Sequence, residues 1–177
     1  CSRQIDLTIL LDISADSSLY DMTRTFLQQI IEGLQFTFGN TRVAYITFDR
    51  DATLRFGLNA YKERQEFLNS ITIPTRGHGT NIEGALRLMT SQVFVTELGD
   101  RPHVPNVALI ISDGFAQRAP RVEVGETEVY VVGLGRYINR AILEATATEP
   151  SSTHMFLAAT QDTAKNMADK LLDRLCS

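Results

Sequence analysis

Three almost continuously apolar segments constrain the fold of this chain more than any other feature. They read IDLTILL at 5–11, NVALIIS at 106–112 and EVYVVG at 128–133. Strands of this kind are buried on both faces, as they are in a parallel sheet covered by helices. Amphipathic segments with helical spacing lie between and after them, at 19–38, 81–95 and 161–175. Strands that alternate with helices predict an open α/β sheet.

The remaining segments complete the predicted sheet. Further strands are expected at 42–48, 52–57 and 153–157, and further helices at 60–70 and 138–147. We interpret 52–57 as a hairpin partner at the edge of the sheet. The predicted fold class is therefore an open, doubly wound, mostly parallel six-stranded α/β sheet with one antiparallel edge strand and helices on both faces. At 177 residues the chain suits a single domain spanning 1–177.

Composition and charge exclude several classes of protein. The formal net charge is −4 and no run of lysine or arginine forms a basic patch, so we expect no nucleic-acid partner. No apolar run approaches the roughly 18 residues that a membrane-spanning helix needs. The chain begins with Cys1 and has no signal-like apolar stretch, so we interpret it as a processed product or as one module of a longer multidomain protein.

The two cysteines, Cys1 and Cys176, stand at the two ends of the chain. In the predicted fold Cys1 precedes the first strand, and Cys176 ends a helix that descends from the opposite edge, so both lie at the same edge of the sheet. We therefore predict a disulfide between them, which implies a secreted location. Two unrelated free thiols are the alternative. Neither the cysteines nor the three histidines have the spacing of a zinc site.

Oxygen-bearing side chains follow the buried strands, where ligands bind in open α/β sheets. They are, in chain order, Asp12, Ser14, Asp16, Thr80 and Asp113. The first three follow the first strand, the threonine lies in a glycine-containing loop before a helix, and the last follows the strand at 106–112. Carboxylates and hydroxyls suit hard cations, so these residues predict a site for Mg²⁺, Mn²⁺ or Ca²⁺.

Three motifs resemble those of the von Willebrand factor type A (VWA) domain family. DISAD at 12–16 resembles its D-x-S-x-S element, GHGTNIEGAL at 77–86 resembles its threonine loop and the helix after it, and SDG at 112–114 resembles its T-D-G element. The similarity extends in order over essentially the whole chain, from VAYITF at 43–48 to THMFL at 153–157. Three motifs in register on the expected strands favour this family.

The resemblance implies a metal-ion-dependent adhesion site (MIDAS). In the family, serine and threonine hydroxyls bind the ion, the aspartates bind largely through water, and one position stays open for a carboxylate of the partner. Carried over, the metal residues are Asp12, Ser14, Asp16, Thr80 and Asp113, with Mg²⁺ favoured over Mn²⁺ or Ca²⁺. Asp16 departs from the pattern, which has serine there. A third carboxylate gives the occupied site a formal charge of about −1 instead of 0, which would weaken its pull on an acidic ligand.

The resemblance further implies an adhesion module and not an enzyme. The direct passage from Gly135 to Ile138 lacks the insertion of collagen-binding integrin domains, and the chain looks closer to matrix proteins of the matrilin or collagen VI type. The expected partner is an extracellular matrix protein such as collagen, and the expected location is secreted, in the extracellular matrix. Arg76, His78 and Phe115 are candidate contacts to that partner.

Three other functions are weighed against this one. A module with a vestigial metal site, in which Asp16 only caps the following helix, would bind partners without metal. Dinucleotide binding is disfavoured because the G-x-G at 133–135 lacks a third glycine and follows a late strand. A hydrolase using Asp12 and Asp16 lacks a G-x-S-x-G nucleophile elbow. Asp49 and Asp51 are interpreted as turn residues, with an outer ring around the metal as the alternative.

Overall fold

The computed structural model describes residues 3–14, 16–37, 39–74, 77–116 and 118–177. Within these ranges one sheet contains six strands, which are β1 (Ile5–Asp12), β2 (Thr41–Phe48), β3 (Ala52–Phe56), β4 (Asn106–Ser112), β5 (Glu128–Leu134) and β6 (Met155–Ala158). The helices are α1 (Tyr20–Gly33), α2 (Arg64–Ser70), α3 (Ile82–Gln92), α4 (Arg140–Thr146), α5 (Ser151–His154) and α6 (Gln161–Leu175). Short 3-10 helices cover Ser17–Leu19 and Thr96–Leu98.

The strand order is β3-β2-β1-β4-β5-β6, and every neighbouring pair is parallel except β2 with β3, which is antiparallel. The predicted fold class is confirmed. The parallel strands end together at what we call the carboxyl edge of the sheet, and they begin at the amino edge. The order reverses between β1 and β4, which is where open α/β sheets form a ligand-binding crevice at the carboxyl edge.

β1 is buried on both faces, and its side chains alternate between two apolar layers. Ile9 packs in the cluster that contains Phe26 of α1 and Leu171 of α6. Leu10 packs on the opposite face, in the cluster that contains Leu86 of α3. Each such side chain, when fully buried, contributes roughly 1.5–3 kcal/mol to the stability of the fold. The two layers hold β1 rigidly and so fix the position of the loop that follows it.

Helix α1 ends at Gly33, before the predicted end at 38. Leu34 turns to extended backbone, with φ −78° and ψ 146°, and it is buried together with Phe36. A side chain on Gly33 would come within 2.4 Å of Leu172 in α6, so glycine allows the two helices to pack closely. The prediction overran because Leu34 continues the helical spacing although it reaches the core from outside the helix.

Other boundaries also differ from the predictions. Helix α2 begins only at Arg64, and residues 153 and 154, predicted as strand, belong to the short helix α5. The His154 ring holds that turn, because its Nδ1 lies 3.0 Å from the carbonyl oxygen of Pro150 and its Nε2 lies 3.1 Å from Oε1 of Glu128. Among the described helices none has the length and apolar character needed to cross a membrane.

Arg101 fastens the loop before β4 to the amino edge of the sheet. Its Nη2 lies 2.6 Å from Oδ1 of Asp6, whose side chain is fully buried. Its backbone N–H donates to the other oxygen of that carboxylate at 2.8 Å. Its guanidinium also donates to the carbonyl oxygens of Ile5, Gly39 and Asn40. One side chain therefore joins β1, the start of β2 and this loop.

The end of α6 lies at the amino edge, as the disulfide prediction requires. α6 follows β6, which is parallel to β5, and Leu172 near its end packs against Gly33, where α1 ends shortly before β2 begins. Cys176 is the C-cap residue of α6. Cys1 lies outside the described residues, so the bridge between the two cysteines stays a prediction.

Candidate metal site

Three segments meet at the carboxyl edge, beside the point where the strand order reverses. Asp12 is the last residue of β1 and Ser14 follows it, while Thr80 precedes α3 and Asp113 follows β4. The Oγ of Ser14 lies 2.9 Å from Oγ1 of Thr80. The fold therefore brings together two hydroxyls that are 66 residues apart in the sequence.

Asp12 is held by hydroxyl donors on both of its oxygens. Oδ1 accepts hydrogen bonds from the backbone N–H of Ser14, at 2.9 Å, and from the Ser14 hydroxyl. Oδ2 accepts a hydrogen bond from Oγ of Ser112 at 2.6 Å. Only 4% of Asp12 is exposed, and this burial raises the pKa of its carboxyl to about 6 despite those donors. A nearby cation would favour the charged carboxylate.

Asp113 is held at the start of a tight turn. Its Oδ1 accepts a hydrogen bond from the backbone N–H of Phe115 at 3.1 Å, and burial raises the pKa of its carboxyl. Gly114 follows with φ +75°, and a side chain there would lie 2.9 Å from the carbonyl oxygen of Asn139. Glycine is needed at this position because the left-handed backbone and the neighbouring chain both exclude a Cβ.

The loop that carries Thr80 is fixed by backbone hydrogen bonds to the residues that directly follow β1 and β2. The N–H of Gly77 donates to the carbonyl oxygen of Ile13 at 2.9 Å, and the N–H of Asn81 donates to that of Asp49 at 2.7 Å. A side chain on Gly77 would come within 2.4 Å of the Asp49 carboxylate, so glycine allows this close approach. The side chain of Asn81 then caps α3 by accepting from the N–H of Gly84 at 2.8 Å.

Asp49 and Asp51 form the turn between β2 and β3. The Oδ1 of Asp49 accepts a hydrogen bond from the N–H of Asp51 at 3.0 Å, and the N–H of Asp49 donates to the carbonyl oxygen of Asp51 at 3.0 Å. This is the hydrogen bonding of a turn-forming aspartate. The interpretation of Asp49 as a turn residue is confirmed.

Asp16, the residue that departs from the family pattern, caps the 3-10 helix that leads into α1. Its Oδ1 accepts a hydrogen bond from the backbone N–H of Ser18 at 2.8 Å. In the described part of the chain, no group of three acidic, histidine or cysteine side chains is placed to hold a metal ion. Asp12 and Asp113 thus do not form a three-carboxylate cluster with Asp16 in this arrangement.

The donor set nevertheless fits a hard divalent cation. It consists of the carboxylates of Asp12 and Asp113 and the hydroxyls of Ser14 and Thr80, all of them oxygen ligands. Two carboxylates would neutralise the charge of a divalent ion. Burial raises the pKa values of both carboxyls because it disfavours their charged forms. A bound cation would favour the charged forms and so offset the effect of burial.

The structure describes two of the three residues that were predicted to contact the partner, and their role stays a prediction. His78 and Phe115 are exposed near the metal site, Phe115 by 61%. Arg76 lies outside the described residues. Reasoning from the sequence missed Ser112, which orients Asp12, although a hydroxyl that ends an otherwise apolar strand was a usable signal.

The whole architecture is that of a known family. The family model for the von Willebrand factor type A domain matches residues 6–170. Matrilin-3 of Homo sapiens is 28% identical over 99% of this chain, which spans 38% of that protein. The chain therefore covers less than half the length of this relative.

Solved structures share the fold at lower sequence identity. Proximal thread matrix protein 1 from the mussel byssus, in its crystal form 2, superposes with a TM-score of 0.87 at 17% identity over 99% of this chain and 49% of the other. The same mussel protein with a zinc-occupied MIDAS motif gives a TM-score of 0.79 at 19% identity, over 99% of this chain and 46% of the other. From its sequence motifs, its sheet order and the family match, this chain belongs to the von Willebrand factor type A domain family.

Proposed function

We propose that this domain is an extracellular adhesion module that binds a matrix protein through a divalent cation at the carboxyl edge of its sheet. The ion is held by Asp12, Ser14, Thr80 and Asp113, and one coordination position is left for a carboxylate of the partner. Asp16, the fifth residue of the predicted set, lines a cavity together with Asp12. All the donors are hard oxygens, which suit Mg²⁺, Mn²⁺ and Ca²⁺. Among these ions we propose Mg²⁺ first, as the family resemblance implies. We propose binding and not catalysis.

The contact between Ser14 and Thr80 is the observation that carries this proposal. Their hydroxyl oxygens lie 2.9 Å apart beside the buried carboxylate of Asp12, although the two residues belong to different loops. Hydroxyls on two rigidly fastened loops can ligate one ion without reorganisation. Support for a divalent cation comes from the mussel protein, which was solved with zinc in its MIDAS motif.

A matrix location and a matrix partner are supported by the resemblance to matrilin-3 and to the mussel thread matrix protein. Collagen is the narrower choice of partner that we propose. Since the chain spans 38% of matrilin-3, we further propose that it works as one module of a longer secreted protein.

A thermal-shift titration with MgCl₂ tests the metal site. We expect Tm to rise with Mg²⁺ and to fall back with EDTA, because a ligand that binds only the folded state stabilises it. Thr80→Ala should abolish the shift. Thr90→Ala, which removes a hydroxyl that bonds within α3 to the carbonyl oxygen of Arg87, is the matched control and should keep it.

The second candidate function is adhesion without metal, and the capping bond from Asp16 to the N–H of Ser18 favours it. In that case neither Mg²⁺ nor EDTA changes Tm, and a pull-down from matrix extract recovers the same partner with and without EDTA. A partner that is captured in Mg²⁺ and released by EDTA supports the metal-dependent function instead.

A further inference from the structure

We propose that a second subsite beside the metal binds another acidic side chain of the same peptide partner, through the arginines Arg50, Arg87 and Arg118. The part of this inference that concerns the carboxylate bound to the cation rests on the proposed function. The partner is thus an acidic peptide segment with two carboxylates, one for the cation and one for these arginines. We call the cavity that they line the arginine pocket.

The arginine pocket adjoins the metal site directly. It is a cavity of about 570 Å³ that is lined by the three arginines together with Thr80, Ile82 and Phe115. Thr80 is also a proposed metal ligand, so one residue belongs to both sites. A peptide that reaches the cation therefore places its neighbouring residues over the arginine pocket.

The charge of the pocket is opposite to that of the whole protein. Three arginines and one carboxylate, that of Glu83, line it, which leaves a formal excess of two positive charges in a chain whose net charge is −4. The side chains of Arg87 and Arg118 remain 60% and 68% exposed although both contact Glu83. Arg50 has no ion pair within the described ranges.

These arginines keep donors for a further anion. Nε and Nη2 of Arg87 donate to Oε1 of Glu83, and Nη2 of Arg118 lies 3.6 Å from the other oxygen of that carboxylate. A guanidinium carries five N–H groups, so each side chain retains free ones. Forked guanidinium donors match the geometry of a carboxylate.

Glu83 also makes the pocket rigid. Its Oε2 accepts a hydrogen bond from the backbone N–H of Arg121 at 3.0 Å, which ties the segment after β4 to the first turn of α3. The same segment carries Phe115 and Arg118. Arg87 and Arg118, which both contact Glu83, are thus positioned before a ligand arrives, which lowers the entropy that binding costs.

Apolar surface in the pocket favours a peptide over a sulfated sugar chain. Phe115 is 61% exposed, and it lines the pocket together with Ala116 and Ile82. An exposed aromatic ring beside arginines is the composition of a protein-binding hot spot. The segment we propose therefore carries an apolar residue close to its two acids.

Fluorescence anisotropy with synthetic peptides tests the proposal. The probes are labelled peptides in which two aspartates flank a leucine with zero to three added glycines, and the same peptides with the second aspartate replaced by asparagine. In Mg²⁺ we expect the best two-acid peptide to bind at least about fivefold more tightly than its one-acid counterpart. Arg87→Gln and Arg118→Gln should each reduce this ratio toward one and leave the Mg²⁺-dependent binding of the one-acid peptide unchanged.

Arg174→Gln is the control, because it removes an exposed arginine at the opposite edge of the sheet and should keep the ratio. A ratio near one in the unaltered protein, or one that survives both pocket variants, overturns the proposal. Arginine-dependent binding of heparin oligosaccharides without binding of the peptides overturns the choice of a peptide. If EDTA leaves the ratio and its arginine dependence intact, the metal function fails while the arginine subsite is supported.

Discussion

At the scale of single residues, burial and hydrogen bonding have opposite effects on the pKa of Asp12. Three hydrogen bonds hold its carboxylate, yet desolvation raises the pKa to about 6. Because the pKa is raised, folding without a cation favours the protonated form of Asp12. Above pH 6 the charged carboxylate therefore lowers the stability of the folded state. This loss of stability disappears as the pH falls toward the unfolded pKa of 3.8. A bound divalent ion reverses this preference.

Metal affinity should therefore depend on pH. With a pKa of about 6, roughly nine-tenths of Asp12 is ionised at about pH 7 and roughly one-tenth at about pH 5. We expect the affinity for Mg²⁺, measured by calorimetry, to be about tenfold weaker at the lower pH. Asp113, whose pKa is also raised, would enlarge the difference. Equal affinities at the two pH values would contradict metal binding through Asp12.

Replacing Asp16 tests whether it weakens adhesion. Asp16→Ser restores the residue of the family pattern and keeps an oxygen that can cap Ser18, so folding should change little. We expect tighter Mg²⁺-dependent binding of an acidic peptide, because one negative charge is removed near the ion, while affinity for Mg²⁺ itself drops.

Asp21→Ser is the control for this variant, since it removes a charge from the first turn of α1, one turn further along. Calorimetry on both variants, first with Mg²⁺ and then with peptide, separates the effects. If Asp16→Ser weakens the binding of both metal and peptide, Asp16 is a required metal ligand, and its charge does not weaken adhesion. If the two variants behave alike, only the general charge matters.

At the scale of the elements, the ends of β1 and β4 position Asp12 and Asp113, and the loop before β4 depends on one buried ion pair. Asp6 has no exposed surface, and Arg101 supplies its donors. Removing one partner of such a pair leaves a charge buried without compensation. This ion pair lies at the amino edge, far from the metal site. Removing it should therefore affect metal binding only by unfolding the protein.

Arg101→Met should lower the free energy of unfolding by about 3–5 kcal/mol. Urea denaturation followed by circular dichroism measures this change. Arg140→Met is the matched control, because the side chain of Arg140 is 68% exposed and its pair with Glu144 is separated by 3.9 Å; a loss of about 0.5 kcal/mol or less is expected there. Similar small losses for both variants would show that Arg101 is not the anchor we describe.

The elements also show where sequence patterns are reliable. Six strands and the positions of the long helices could be predicted, because apolar runs and helical spacing are local properties. The end of α1 and the start of β6 could not. Leu34 satisfies the helical spacing while lying beyond the helix, and His154 is held in a helical turn by Glu128, which is distant in sequence.

At the scale of the whole molecule, the chain runs from the amino edge at β1 back to the amino edge at the end of α6. This arrangement is what the predicted Cys1–Cys176 bridge requires of Cys176, and both the bridge and the single domain over 1–177 stay predictions. If other modules flank the domain, a disulfide there would carry mechanical tension directly between its two termini. The tension would then bypass the sheet and the metal site.

The disulfide predicts a large stability difference between the oxidised and reduced chains. In the chain-entropy model, closing a loop of about 175 residues lowers the entropy of the unfolded chain. The free energy of unfolding rises by at most about 5 kcal/mol as a result. We expect intact mass spectrometry to show no alkylation before reduction and two alkylated cysteines after it, and we expect reduction to lower the urea midpoint. Two thiols that react freely in the unreduced protein would refute the bridge.

Sequence by itself determined the alternation of strands and helices, the family and the residue types available at the carboxyl edge. It did so because apolar periodicity and short motifs are properties of neighbouring residues. Only the tertiary structure decided which side chains meet. The 2.9 Å contact between Ser14 and Thr80, and the bond from Ser112 to Asp12, join residues 66 and 100 positions apart. Such contacts depend on the order in which strands pair, and no local pattern encodes that order.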